Sequence, residues 1–328
     1  MLSYTIAIRT LGKSGEAFRK ELEQIALQTV QPDKVLIYIA KGYPRPDFQI
    51  GKEVYIWVEK GMMSQRLRTY DEISSDCILM LDDDVVLQPD SVEKLLKTMK
   101  KKDADCIGVD TFCTHNLSFS QKVYAAITNL VFPHWGDKWA FKIHPNGSFS
   151  YNNYPTKNFY WSQSCAGNAI LWKKSVYEQL HLEDELWLDD FPFAYNDDML
   201  ESYKVYKNGF KLGVVYNSGI GHLDMKSASD SFRKSPDWIY VRTKINFLIW
   251  MRTCFKPGNT TKAEQLYAIF SFFVKTFWLF IVMTAISVLR LSLSYTLSYL
   301  QGLKDGWEYA HSNRYKELNP YYIRNMTL

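Results

Sequence analysis

The sequence predicts an α/β protein with a doubly wound, mainly parallel sheet and a helical, membrane-associated extension at its C-terminus. Short apolar runs alternate with helical periods in the first third of the chain, which is the pattern of β–α–β units. Three aspartates directly follow one of these runs, at the strand end where ligands collect in open α/β sheets. Near the C-terminus, residues 266–289 are almost entirely apolar, with Lys275 as their single charge.

The predicted strands and helices of the N-terminal part alternate as a parallel sheet requires. They are a strand at Tyr4–Thr10, a helix from Phe18 that ends at Pro32, strands at Val35–Ala40 and Val54–Val58, a helix at Arg66–Ile73, a strand at Ile78–Leu81, a helix at Ser91–Lys101 and a strand at Cys106–Val109. The aromatic-rich stretch from 112 to 164 has no clean period. Strands resume at Ala169–Trp172 and Lys211–Tyr216.

The acidic cluster Asp82-Asp83-Asp84 is the first candidate site. On an extended backbone, Asp82 and Asp84 project the same way with Cα atoms about 7 Å apart. Two carboxylates held in this way suit Mg²⁺ or Mn²⁺, ions that often bind substrate phosphates as well. We expect Asp83 to point away from the ligand. The alternative is a solvated acidic turn without a ligand.

A second acidic pair, Asp197 and Asp198, precedes a helical period that ends at Gly209, a residue typical of a helix C-cap. Both carboxylates therefore fall in the first helical turn, where negative charge interacts favourably with the helix dipole. Helix capping alone explains them structurally. The functional interpretation is that one of them is a general base facing a cleft.

Two later features are weaker candidates. His222 follows a predicted strand between glycine-containing segments, and it could supply a third metal ligand. The polar stretch from Met225 to Ser235 carries Arg233 and could close over a diphosphate, although a solvated surface loop is the alternative.

Composition narrows the class of protein and its compartment. The 328 residues are 47% hydrophobic and carry a formal net charge of +4, which does not argue for a nucleic-acid partner. The five cysteines contain no C-x-x-C pair, so free thiols in a reducing compartment are expected. The N-terminus lacks the basic region and the long apolar run of a signal peptide, which predicts a cytosolic catalytic part.

The apolar stretch from 266 to 289 is a candidate membrane segment. Its aliphatic and Phe residues contribute about −6 kcal/mol to insertion, whereas a central Lys275 opposes it by about 3 kcal/mol. A spanning helix and a helix lying in the membrane surface therefore both remain possible, and the rival interpretation is an oligomer interface. The basic residues before it, from Arg242 to Lys262, predict that the catalytic domain stays on the cytoplasmic face of the membrane. Residues 291–303 are compatible with a strand or a helix, and we favour an interfacial helix.

Several short stretches carry a resemblance to a known family. They are Gly61–Arg66, Leu81–Asp84 with Pro89-Asp90, Ser164–Asn168, Asp197-Asp198 before Gly209, His222, and Tyr240–Lys244. In this order and spacing they resemble the family-2 glycosyltransferases of the GT-A fold, from about Tyr4 to Arg252.

The resemblance implies an inverting enzyme that moves one sugar from a nucleotide diphosphate sugar to a hydroxyl of an acceptor. It implies Asp198 as the base with Asp197 in reserve, and Mg²⁺ or Mn²⁺ held by Asp84, Asp82 and His222. The donor-binding residues that it implies are Thr10, Leu11, Lys41, Arg66, Asp82, Asp83, Gly167, Asn168, Arg233 and Arg242. The membrane tail suggests a lipid-linked saccharide as acceptor, in the assembly of a cell-surface polysaccharide.

Two departures from the family pattern limit these implications. Ile39–Gly42, which includes Lys41, stands where the family usually has Asp-Asp-Gly-Ser, so the nucleobase is undetermined. The Q-x-x-R-W motif of processive synthases is absent, which favours addition of a single sugar. The expected domains are a catalytic domain at 1–225, a connecting segment at 226–260 and a membrane-associated tail at 261–328.

Two other functions remain as alternatives. A sugar-phosphate nucleotidyltransferase would need a glycine-rich basic phosphate loop, and Thr10–Gly15 is a poor one. The second alternative is a non-catalytic membrane scaffold that binds nucleotide sugars. The presence of both acidic pairs, Asp82 with Asp84 and Asp197 with Asp198, argues against it.

Overall fold

A computed structural model builds the N-terminal part of the chain around one eight-stranded sheet. The structure describes residues 2–111, 120, 123, 138–152, 155–193, 195–223, 232, 235–255 and 260–322. The strands are β1 (Tyr4–Thr10), β2 (Val35–Ala40), β3 (Glu53–Val58), β4 (Cys77–Leu81), β5 (Val85–Leu87), β6 (Cys106–Val109), β7 (Phe141–Ile143), β8 (Phe149–Tyr151), β9 (Phe159–Trp161), β10 (Ala169–Lys173), β11 (Leu212–Val215) and β12 (Ile220–His222).

The order of the main sheet is β3-β2-β1-β4-β10-β6-β11-β9, and β12 with β5 and β7 with β8 form two small sheets. Strands β3, β2, β1 and β4 are parallel, as are β6 and β11, whereas β10 runs antiparallel to β4 and β6. The predicted α/β class with a mainly parallel sheet is confirmed. Because β10 is reversed, its first residue Ala169 lies opposite Leu81, and the segment before β10 reaches the acidic cluster.

Among the described residues, four helices accompany this sheet: α1 (Gly15–Ala26), α2 (Ser91–Lys102), α3 (Lys174–Gln179) and α4 (Asp197–Lys207), with a 3₁₀ helix at Leu182–Asp190. The buried face of α2 is the predicted one, and α1 ends at Ala26 rather than at Pro32. Two α1 side chains are directed at the backbone of β5, where Glu21 accepts from Val85 N and Gln24 accepts from Leu87 N. These bonds give hydrogen-bond partners to the backbone amides of β5 on the edge that is not paired with β12.

The predicted helix at Arg66–Ile73 is wrong. This stretch forms turns, and Tyr70 has a positive φ of 52°, which a helix does not accommodate. Directly before this stretch, the amides of Met63 and Ser64 bond to the carboxylate of Asp189, a residue far away in the chain. The spacing of Leu67, Tyr70 and Ile73 suggested the buried face of a helix, but turns bury these side chains instead.

The described residues divide into two compact units. The first includes those within 1–115, 136–140 and 152–225, and the second those within 116–135, 141–151 and 226–328. Of the described cysteines, Cys77, Cys106 and Cys165 are buried free thiols and Cys254 is a partly exposed one. Burial raises the pKa of Cys77 to about 12, which keeps this thiol protonated and unreactive.

The second unit is mainly helical. It contains α5 (Pro236–Trp250) with a π-helical turn at Met251–Phe255, α6 (Lys262–Leu289), α7 (Ser294–Ala310), α8 (Asn313–Lys316) and the β7–β8 hairpin. Helix α7 settles the open choice for residues 291–303 in favour of a helix. Gly302 and Gly306 let α7 approach α5 closely, because a Cβ at Gly302 would lie 2.7 Å from the carbonyl oxygen of Tyr240. Among the described helices, α6 is the one that is long and apolar enough to cross a membrane.

Candidate active site

A cavity of about 560 Å³ lies at the carboxyl ends of β1 and β4. One part of its wall is acidic and contains Asp82, Asp83, Asp84 and His222. Another part is basic and contains Arg9, Lys13 and Lys60. The remaining lining residues are Thr10, Leu11, Ser14, Gly61, Met62, Gln65, Asp189, Phe191 and Pro192. A cavity with both kinds of wall at this edge of the sheet suits a ligand that carries phosphates and a polar group.

Asp84 and His222 form a close pair in the acidic wall. The Nε2 atom of His222 lies 3.0 Å from Oδ1 of Asp84. The β5–β12 ladder creates this pair, because His222 lies opposite Val85 in the register and Leu223 N donates to the carbonyl oxygen of Asp84. Both side chains are predicted metal ligands, and the fold brings them together from positions far apart in the chain.

Asp82 contacts two arginines, whereas Asp84 contacts His222. Its Oδ1 accepts from Arg9 Nε at 2.8 Å and lies 3.7 Å from Nη2 of Arg66. Burial alone would raise the pKa of Asp82, but the charges of Arg9 and Arg66 outweigh burial and lower it. Asp82 therefore stays ionised and joins the acidic wall to the arginines.

Asp83 also lies in the cavity wall, although it was expected to point away from the ligand. Asp83 and Asp84 form a turn between β4 and β5, and the alternation of an extended strand does not apply there. The hydroxyl of Thr10 donates to Oδ2 of Asp83. Burial, with the neighbouring carboxylates, raises the pKa of Asp83 although the hydroxyls of Thr10 and Ser14 lower it.

Arg66 connects Asp82 to the second acidic pair. It is 3% exposed, and its Nη1 lies 3.4 Å from Asp197 Oδ2 and 3.4 Å from Glu201 Oε1. Asp197 also lies 3.7 Å from Nη1 of Arg9. These contacts join the first turns of α4 to the end of β4, although Asp197 and Asp198 are not among the residues that line the cavity.

Asp198 lies beside Arg66, on the other side of Gly167. A Cβ atom at Gly167 would lie 2.7 Å from Arg66 Nη1 and 2.9 Å from Asp198 Cβ, so only glycine fits between them. Burial and the charge of Asp197 raise the pKa of Asp198 to about 6, although Arg66 and two backbone amides oppose this. Such a carboxyl is poised to exchange a proton near neutral pH.

Glu201, one helical turn further along α4, was not predicted from the sequence. It is fully buried, and burial raises its pKa to about 7 against the opposing charge of Arg66. Glu201 stands between Leu200 and Ser202 in the sequence, and this local pattern gave no sign of a functional carboxyl.

The structure does not bring every predicted residue to the cavity. Lys41 is exposed and pairs with Glu59. Asn168 is buried, and its carbonyl oxygen accepts from Asp82 N at 3.0 Å, so it supports the acidic cluster through the backbone. Arg242 belongs to α5 of the second unit, and Arg233 lies outside the described residues.

Asp189 holds the loop that carries Arg66, and sequence analysis missed it. Its carboxylate accepts from Met63 N at 2.9 Å and from Ser64 N at 2.8 Å. Gly61 leaves space for it, since a Cβ there would lie 2.1 Å from Asp189 Oδ2. The partners are more than 120 residues apart, and no local pattern connects them.

Arg9 and Gln65 were also missed. The Nε2 atom of Gln65 donates to the carbonyl oxygens of Thr10 and Tyr38, which holds the ends of β1 and β2 together. Arg9 offered a detectable signal, because it is a charge near the end of an otherwise apolar strand.

The donor set of the acidic wall fits a divalent cation that is shared with a phosphate ligand. Among the described residues, no three His, Cys, Asp or Glu side chains converge as a complete metal cage. Mg²⁺ typically uses one or two protein carboxylates and completes its shell with water and substrate phosphates. Asp84, with His222 at 3.0 Å, provides such an incomplete set at the cavity.

Solved structures with a similar fold include those of S. aureus TarS. The crystal structure of S. aureus TarS 1-349 in complex with UDP-GlcNAc aligns with a TM-score of 0.51 at 11% identity, over 93% of this chain and 80% of that one. The structure of TarS 1-349 alone gives a TM-score of 0.54 at 11% identity, with the same coverage. Against the longer S. aureus TarS structure, the TM-score is 0.52 at 10% identity, and the chain spans 50% of that protein. At such identities the similarity shows the fold alone, which is the GT-A fold.

The sequence itself identifies the family. Residues 49–241 match the family described as "Glycosyltransferase like family 2", and this match covers more than half of the chain. The chain belongs to this family and is a glycosyltransferase. A search of curated proteins found no match.

Proposed function

We propose that this protein is an inverting glycosyltransferase that moves one sugar from a nucleotide diphosphate sugar to a hydroxyl of a lipid-linked saccharide. The observation that carries the proposal is Asp198, a carboxyl whose pKa is raised to about 6 and which lies beside Arg66 at the edge of the sheet that holds the cavity. The nucleotide sugar present in the similar TarS structure supports the donor class.

In the proposed reaction, the basic wall binds the donor. Lys13 and Lys60 line the cavity and would neutralise the diphosphate, whereas the charge of Arg9, which also lines it, is already paired with Asp82 and Asp197. Asp84 and His222, with Asp82 as the expected third ligand, would hold Mg²⁺ or Mn²⁺. When bound, the cation would supply Lewis-acid stabilisation of the leaving diphosphate.

Asp198 would accept the proton of the acceptor hydroxyl while the sugar carbon develops positive charge. Arg66 would keep the ionised form of Asp198 accessible near neutral pH, because its charge opposes the increase in pKa caused by burial. Asp197, held by Arg9 and Arg66, is the less suitable base because its carboxylate is already engaged by two cations.

The apolar helix α6 supports a location at the cytoplasmic face of the cell membrane, where a lipid-linked acceptor in cell-surface polysaccharide assembly would be found. We expect the catalytic residues to face the cytosol.

A donor panel tests the proposal. The purified chain is incubated with UDP-, GDP- and dTDP-sugars, Mg²⁺ or Mn²⁺ and membrane extract as acceptor. We expect release of nucleoside diphosphate that depends on one donor and on the acceptor. Pyrophosphate from a nucleoside triphosphate would instead indicate a nucleotidyltransferase, and binding of donor without release would indicate a scaffold.

A further inference from the structure

The loops that follow β1, β2 and β3 lie side by side at the edge of the sheet that holds the cavity. The three strands are neighbours in the order β3-β2-β1 and are parallel, so their carboxyl ends meet at the same edge. Lys13 follows the end of β1 by three residues, Tyr43 follows β2 by three and Lys60 follows β3 by two. Because β2 is the middle strand, the sheet places Tyr43 between the two lysines.

The ammonium groups of both lysines lie over the ring of Tyr43. The Nζ atom of Lys13 is 5.0 Å from the centroid of the ring, and the Nζ atom of Lys60 is 5.2 Å from it. A cation within about 6 Å of an aromatic centroid is attracted by the negative face of the ring. The pKa of the Tyr43 hydroxyl is lowered, first by a hydrogen bond from Lys60 and then by the charges of Lys60 and Lys13. One aromatic side chain therefore holds two cations that come from two different loops.

Tyr43 itself is fixed by contacts with its surroundings. Its amide donates to the carbonyl oxygen of Ala40 at 3.1 Å, and its carbonyl oxygen accepts from Nε1 of Trp57 at 3.2 Å. Its side chain is half-buried and packs against the hydrophobic core of the first unit. Gly12, with a positive φ of 67°, lets the loop after β1 approach closely, since a Cβ there would lie 2.8 Å from the carbonyl oxygen of Pro44. A fixed ring thus holds two long and flexible side chains.

The two lysines are not neutralised by carboxylates. Within the described part of the chain neither of them forms an ion pair, whereas the nearby Lys41 is paired with Glu59. Both lysines line the cavity, as does Arg9, but the charge of Arg9 is already engaged by two carboxylates. Two ammonium groups held side by side repel each other, and a ligand with adjacent negative charges offsets this repulsion. A diphosphate is a ligand of this kind.

We propose that Tyr43 is a positioning residue that holds Lys13 and Lys60 together as one binding site for the diphosphate of the donor. This inference rests on the proposed function and specifies how its donor is bound. Tyr43 is not among the residues that line the cavity, so it acts through the lysines. Without the ring, both side chains would lose their rotamer freedom only when the ligand binds, which weakens binding.

Two substitutions of Tyr43 test the role of its ring. Binding of magnesium pyrophosphate to the full-length chain is measured by calorimetry at low ionic strength, with the folded fraction taken from a thermal melt. Tyr43→Leu should raise the dissociation constant about tenfold, because each exposed cation–π contact contributes roughly two- to fivefold and two are lost. Tyr43→Phe keeps the ring and should bind within about threefold of the wild type. Equal losses in the two variants would overturn the proposal.

Tyr55→Leu is the matched control. Tyr55 also has a cation over its ring, with the guanidinium carbon of Arg45 4.4 Å from the centroid, but Arg45 does not line the cavity. The same substitution in the same unit should therefore leave pyrophosphate binding unchanged. If Tyr55→Leu weakened binding as much as Tyr43→Leu, lost packing would explain both effects and the role given to Tyr43 would be wrong.

A double-mutant cycle tests whether the ring acts through the lysines. In a Lys13→Met background the ring holds Lys60 alone, so Tyr43→Leu should now raise the dissociation constant only about threefold. A full tenfold loss in this background would mean that the ring contacts the ligand itself, and it would overturn the proposal. Donor turnover separates this inference from the proposed function. A chain that transfers sugar but binds pyrophosphate equally well with Tyr43→Leu contradicts the inference alone, whereas absence of turnover with every donor contradicts the proposed function.

Discussion

Replacing Gly167 by alanine tests whether Arg66 and Asp198 act as one arrangement. The added Cβ would meet Arg66 Nη1 at 2.7 Å and Asp198 Cβ at 2.9 Å. Carbon atoms normally rest about 3.5–4.0 Å apart, so one or both groups must move by roughly 0.5–1 Å. Arg66 is 3% exposed and held by three carboxylates, and it has little room to retreat. We therefore expect Asp198 and the start of α4 to move.

A displacement of about 1 Å at a catalytic group can lower the rate on the order of 100-fold. Overpacking of this kind also lowers the free energy of unfolding by about 1–3 kcal/mol, which a domain of this size tolerates. The assay is release of nucleoside diphosphate from the active donor, normalised to the folded fraction from a thermal melt. Binding of the nucleoside diphosphate alone should change much less, because the cavity wall itself is not altered.

Gly51→Ala is the matched control. It is the same substitution in the same unit, and a Cβ there meets nothing within 4 Å. We expect wild-type release from this variant. If Gly167→Ala were also as active as the wild type, the close contact of Arg66, Gly167 and Asp198 would have no role in transfer.

Two further predictions follow from the same site. The transfer rate should increase as the pH rises through about 6, because burial raises the pKa of Asp198 to about 6 and only the ionised carboxylate accepts a proton. A transfer rate that stays flat from about pH 5 to 8 would exclude Asp198 as the base. Asp189→Asn should weaken donor binding roughly tenfold as an increase in KM, because a neutral amide holds the amides of Met63 and Ser64 less strongly. The exposed neighbour Asp190 supplies the control Asp190→Asn, and equal KM values for the two variants would contradict the role given to Asp189.

The elements of the sheet were predictable because their signals are local. Val35–Ala40 is apolar at every position and is buried at every position, and the bounds of β1 and β2 agree with the prediction. The face of α2 followed from the spacing of Val92, Leu95, Leu96 and Met99. Prediction failed at residues 66–73, where the apolar spacing is typical of a helix but turns bury the same side chains.

The candidate site was predictable in its residue types and less so in its pairing. The acidic cluster, His222 and the second acidic pair were found because each stands at the end of a recognisable element. The sequence could not show that Asp82 turns to Arg9 and Arg66 while Asp84 turns to His222, because these pairs depend on the sheet order and on the β5–β12 register. Asp189 and Glu201 act through tertiary contacts alone, and no spacing along the chain identifies them.

Asp198→Asn gives the most direct test of the central claim, that this chain transfers a sugar with Asp198 as the base. The variant keeps the shape of the side chain and removes its ability to accept a proton. Nucleoside diphosphate release in the presence of acceptor should fall by at least about 100-fold, the usual contribution of general base catalysis, while binding of the nucleoside diphosphate stays close to that of the wild type. Equal loss of release and of binding, or release that persists in Asp198→Asn, would contradict the claim.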